Sequence, residues 1–113
     1  MFKEEKANAK TFLVFIDVYS LKEKQLIDDA EREFFDLVES SGADIVGATS
    51  HKQSNPSISH FINKGKLEEL FNSVHGSDIG LVIVNHKLSA SQARNLELKL
   101  KVRVIDKIDL ILD

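Results

Sequence analysis

Cysteine and tryptophan are absent from this sequence, and proline and tyrosine occur once each among its 113 residues. Without cysteine there is no disulfide framework, no thiolate metal site and no cysteine nucleophile. No window approaches the roughly 18 consecutive apolar residues of a membrane span, and the opening MFKEEKANAK is charged where a secretory signal needs an apolar stretch. The chain therefore reads as soluble and cytoplasmic. None of the four histidines sits in an HxH or HExxH spacing, so no metal site is expected. In SQARNLELKLKVRVID no aromatic residue is interleaved with the basic ones, so that segment offers no platform for stacking single-stranded bases.

The charges that are present are unevenly placed. Residues 1–56 carry seven basic against eleven acidic side chains, and residues 57–113 carry eight against seven. The second half is the better face for an anionic partner. At 42% hydrophobic and 29% charged, the chain supports one domain with a real core, with residues 1–10 as a charged tail and 11–113 as the domain.

Periodicity predicts alternating strands and helices. TFLVFIDV (11–18) is a β-branched and aromatic run suited to burial on both faces. Ser20 and Glu23 have capping-box spacing, and Leu26, Ile27, Ala30, Phe34, Leu37, Val38 and Ser41 mark a helix of about five turns up to Gly42. A second strand, ADIVGATS (43–50), leads to HKQSNPS (51–57), read as a loop because it holds the only proline among polar residues. ISHFI (58–62) reads as a short antiparallel or edge strand.

Leu67, Leu70, Phe71 and Val74 predict a helix ending near Gly76, and IGLVIV (79–84) is the clearest buried strand. Ser89 and Gln92 repeat the capping-box spacing before a helix with Ala93, Leu96 and Leu100, and VRVI (102–105) returns to strand. This alternation implies an α/β fold of βαβ units with a mainly parallel β-sheet and packed helices. The apolar run IDLILD closes the chain without a breaker, as in a piece of a longer protein.

Three places invite chemistry. In NKGKL, Gly65-Lys66 is followed by Leu67, and no glycine precedes Gly65 by five residues, so the GxxxxGK[ST] phosphate loop is missing. What remains is a helix start carrying Lys64 and Lys66, against the macrodipole, at a few tenths of a kcal/mol each unless an anion lies nearby. An RNA phosphate fits; so do two solvated lysines balanced by Glu68 and Glu69.

The strand-end loops (Asp17, Tyr19, Ser20; Ser50, His51, Lys52; Asn85, His86, Lys87) form the default ligand crevice of an open parallel sheet. Finally, Arg94 and Asn95 join Gln92 as candidates to reach a phosphate or base, with Lys99, Lys101 and Arg103 adding charge. Gln92 and Asn95 serve equally well as partners for nearby backbone groups.

The segments SGADIVGATSHKQSNPSISHFINKGKLEEL, IGLVIVNHKLSASQARNLE and VRVIDKIDLILD, in that order, resemble the N-terminal domain of HflX-type GTPases over residues 11–113. That family's Tyr-Ile-Gly-x-Gly-Lys is matched by Phe61, Ile62, Gly65 and Lys66, with Asn63 at the first glycine. Its Leu-Ser-Pro-x-Gln-x-Arg-Asn-Leu-Glu is matched by Leu88, Ser89, Gln92, Arg94, Asn95, Leu96 and Glu97, with Ala90 at the proline. Its Val-Ile-Asp-Arg-Thr corresponds to Val104, Ile105, Asp106, Lys107 and Ile108, and Asn85 and His86 stand where acidic residues are common.

The resemblance implies a cytoplasmic GTPase that associates with the large ribosomal subunit and acts on stalled or stressed ribosomes. It places GTP and magnesium in a separate P-loop domain of the same polypeptide, so that this part needs no cofactor of its own. The expected role is an accessory module that binds ribosomal RNA through Lys64, Gly65, Lys66, Arg94 and Asn95. The alternatives are purine-nucleotide (ATP or GTP) binding or hydrolysis by this domain itself, and purely intramolecular control of GTP hydrolysis.

Overall fold

A computed structural model describes residues 9–18, 24–53, 57 and 59–112. Four strands, β1 (Lys10–Val18), β2 (Asp44–Gln53), β3 (Leu81–Val84) and β4 (Arg103–Asp106), form one sheet in the order β2-β1-β3-β4, every pair parallel. Four helices alternate with them: α1 (Lys24–Ser40), α2 (Lys64–His75), α3 (Ala90–Leu100) and α4 (Lys107–Leu112). Among the described residues, no helix is long and apolar enough to cross a membrane.

The two central strands are apolar at nearly every position because both of their faces are covered. On one face Phe12, Val14, Ile16, Val82, Val84 and Val104 meet Leu67, Leu70 and Val74 of α2 and Leu96 and Leu100 of α3. On the other, Leu13, Phe15, Leu81, Ile83 and Ile105 meet Phe34 and Val38 of α1 and Leu110 of α4. The expected stripe of α1 is thus buried at Phe34 and Val38, whereas Leu26 stays 56% exposed. Gly42, at φ +92, follows α1 in the left-handed conformation that commonly ends a helix.

Two readings change. The segment HKQSNPS is not all loop: its first three residues continue β2 to Gln53, because the edge strand needs burial on one face only. Residues 108–112 of the closing apolar run belong to α4, which turns Leu110 into the core. Residues 59–62, read as part of a short antiparallel or edge strand, are not a strand of the sheet. Ser57 and Phe61 exchange both backbone hydrogen bonds at 2.9 Å and close a tight turn, while Phe61 and Ile62 drop into the core beside α2. The Ser20/Glu23 capping box lies outside the described residues.

Candidate functional site

Helix α1 leaves the carboxyl end of β1 for one face of the sheet, and α3 leaves the end of β3 for the other. The strand order therefore reverses between β1 and β3, and a cleft of about 500 Å³ opens there, with Asp17, Val18, Leu26, Asn85, His86 and Lys107 on its wall. Asn85 and His86 are already committed within this crevice. The Ile16 amide donates to Asn85 Oδ1 (2.7 Å) and Asn85 Nδ2 donates back to the Ile16 carbonyl (3.0 Å), so a carboxamide extends the β1–β3 ladder beyond Val84. His86 Nε2 lies 2.8 Å from the same carbonyl, which only accepts, so this nitrogen carries a proton. A carboxylate at position 85 would accept from Ile16 but could not donate to it. Tyr19 and Ser20 lie outside the described residues.

The second feature is a strap, described at Ser57 and from Ser59 to Asn63, that feeds into α2. Asn95 Nδ2 donates to the Ser59 carbonyl (2.9 Å) and Gln92 Nε2 to the Ser57 carbonyl (3.1 Å), tying the strap to α3. Gln92 does this while completing the capping box with Ser89 that its spacing predicts. Gln53, 4% exposed at the end of β2, donates through Nε2 to the Phe61 carbonyl and accepts the Asn63 amide at Oε1 (3.0 Å). Phe61 stands at φ +64, a region aromatic residues avoid, with its ring 5.4 Å from that of His86.

Beyond the strap, Asn63 caps α2 in an extended conformation without a side-chain bond, and no acidic residue occupies the first turn. Lys64, Gly65 and Lys66 are all exposed. Lys66 lies 3.5 Å from Glu69 in a solvated pair, while Glu68 turns instead to Lys99 of α3 at 2.6 Å. A Cβ at Gly65 would meet no atom of the described residues within 4 Å, so none of them requires glycine there. Arg94 is exposed on α3. Of the five candidates, Lys64, Gly65, Lys66 and Arg94 face solvent, and Asn95 holds the strap.

Two residues carry more of this edge than their sequence positions suggested. Asp106, matched only as part of a family segment, accepts the amides of Leu88 and Asp109, and the Asp-x-x-Asp spacing ahead of α4 is the signal for it. Gln53 has no comparable local signal.

His51, on β2, is partly buried, and among the described residues its Nε2 has no hydrogen-bond partner. Burial, then the Lys66 ammonium, hold its pKa below the ordinary 6.5, with Glu69 pulling the other way. The folded state therefore disfavours the protonated ring. The unfolded chain takes up the proton first as pH falls, so His51 removes no stability above pH 6.5 and progressively more below it, down to its folded pKa. In urea titrations, His51→Gln should flatten the stability profile in that interval; identical slopes for the two chains would rule the effect out.

These features define a parallel α/β domain with a switch-point crevice and a solvent-facing cationic helix start on an ordered strap. A family model for the GTP-binding GTPase N-terminal domain matches residues 28–113, and the chain belongs to that family. GTPase HflX of Caldanaerobacter subterraneus subsp. tengcongensis is 36% identical over 110 residues, which cover 97% of this chain and 25% of the relative. GTPase HflX of Escherichia coli (strain K12) is 33% identical over 100 residues, 88% of this chain and 23% of that protein. A crystal structure of an SsGBP mutation variant superposes with a TM-score of 0.65 at 26% identity, over 91% of this chain and 30% of that one. The chain thus spans about a quarter of the length of the curated relatives it matches.

Proposed function

We propose that this domain is the ribosome-docking and regulatory module of an HflX-type cytoplasmic GTPase. In this reading it meets RNA phosphates of the large ribosomal subunit through Lys64, Lys66 and the backbone at Gly65, with Arg94 adding charge. GTP and magnesium are bound, and GTP is hydrolysed, in a separate domain of the same polypeptide. One observation carries the reading: Gly65, in the first turn of its helix, is a poorer helix former than alanine, yet among the described residues no neighbouring atom calls for it. With lysines on either side and no acid in the first turn, the segment breaks two local rules at once. Such departures concentrate at functional sites.

The test is binding of the 113-residue chain to purified large ribosomal subunits over a salt series, beside Lys64→Ala/Lys66→Ala. Log affinity should fall with log salt, and the slope should flatten by about two units in the double variant. Equal slopes would discard the phosphate contacts.

A purine nucleotide in the switch-point crevice is the second reading, favoured by the cleft with Asp17 and Lys107 on its wall. Micromolar binding of GTP or ATP with magnesium, lost in Lys107→Ala, would select it. Intramolecular control is the third. It requires GTP hydrolysis by the longer polypeptide to change, without ribosomes, when this domain is removed.

A further inference from the structure

The geometry points to Gln53 as the positioning residue that presents the Lys64-Gly65-Lys66 turn, acting through the strap. As a statement about RNA affinity this rests on the docking role proposed above; as a statement about local order it stands alone.

Gln53 ends the edge strand opposite Val18 of β1, and its side chain is buried. Its carboxamide has one acceptor and one donor facing the strap, and both are used: Oε1 takes the Asn63 amide and Nε2 gives to the Phe61 carbonyl. These two backbone groups bracket Ile62, whose side chain is buried and whose amide donates to the His60 carbonyl at 2.6 Å.

Phe61 at φ +64 persists only while its surroundings over-determine it. Its amide is held by Ser57, its carbonyl by Ser57 and Gln53, and its ring by the core. Asn63 is the cap of α2, and its side chain makes no capping bond. Among the described residues, Gln53 is therefore the side chain that holds the backbone amide of that cap. Gln92 and Asn95 hold the far end of the strap at Ser57 and Ser59. The lysines extend from a start whose position two strand-end hydrogen bonds decide, so binding avoids part of the cost of ordering that turn.

The experiment compares Gln53→Ala and Gln53→Glu with the unaltered 113-residue chain by amide hydrogen exchange and by large-subunit binding across the same salt series. In Gln53→Ala, the amide of Asn63 should exchange about tenfold faster or more, the equivalent of one lost neutral hydrogen bond. The amides of Val82 to Val84 should keep their rates. Affinity should fall about tenfold with the salt slope unchanged, because the same phosphates are still met. Gln53→Glu keeps the acceptor and loses the donor, so protection should persist at Asn63 and weaken at Ser57.

Unchanged exchange at Asn63 overturns the assignment. So does acceleration by one common factor at Asn63 and Val82, which marks global destabilisation alone. If the unaltered chain fails to bind the subunit at any salt, the docking role falls, and the exchange data judge Gln53 without it.

Discussion

Replacing Asp106 by alanine is expected to destabilise the domain by about 3 kcal/mol, taking each hydrogen bond to a charged group as worth roughly 1.5–3 kcal/mol and allowing for relief of the carboxylate's desolvation. Asp106 ends β4 at 2% exposure, and its two oxygens accept different amides, Leu88 and Asp109, each at 2.8 Å. The Leu88 amide belongs to a buried residue and would be left without its acceptor. The Asp109 amide lies in the first turn of α4, where a negative charge also suits the helix dipole. One carboxylate thus joins the end of β4, the start of α4 and the loop that starts α3.

Asp106→Asn keeps one acceptor oxygen but turns an amino group toward the other amide, so about half of the loss should remain. Urea unfolding measures both variants, with the midpoint shifted and the slope preserved. A midpoint for Asp106→Ala within about 0.5 kcal/mol of the unaltered chain, the range of ordinary surface substitutions, would contradict this account.

Alanine at Gly47 should cost about 1–3 kcal/mol, the range for overpacking a filled core. A Cβ there would stand 2.8 Å from Phe12 Cε1 and 2.9 Å from Cδ1, closer than real contacts allow. The register explains why. Pairing of β1 with β2 slips between Thr11 and Phe12: Ile45 opposes Thr11, Val46 is the extra residue of a bulge, and Gly47 lands opposite Phe12. The Phe12 ring packs in the α2/α3 core and has little room to turn away. Phe12→Val removes both clashing atoms, so alanine at 47 should be nearly harmless in that background. A double-mutant cycle should show favourable coupling of about 1 kcal/mol or more, and simple additivity would refute the contact.

How much could be read beforehand depended on how local each cause was. The strands TFLVFIDV and IGLVIV were legible because a strand buried on both faces needs only an apolar run. The cap of α3 was legible because Ser89 and Gln92 reach each other within one turn. Of the site, the exposed Lys64, Gly65 and Lys66 were visible as a departure from helix-start chemistry. The strap was not, since Phe61 and Ile62 look like strand residues until Gln53, Gln92 and Asn95 arrive from 8 to 36 positions away. Likewise Asn85 resembles a free crevice residue until Ile16, 69 positions earlier, takes both ends of its carboxamide.

Sequence alone determined the parallel α/β class, the order of strands and helices and the family, because these follow from hydrophobic period, local capping and matched segments. Tertiary structure decided which polar side chains are free to meet a partner and which hold the backbone. A carboxamide satisfies either demand equally well, and only the packed chain brings to it the unpaired amide or carbonyl that settles its role.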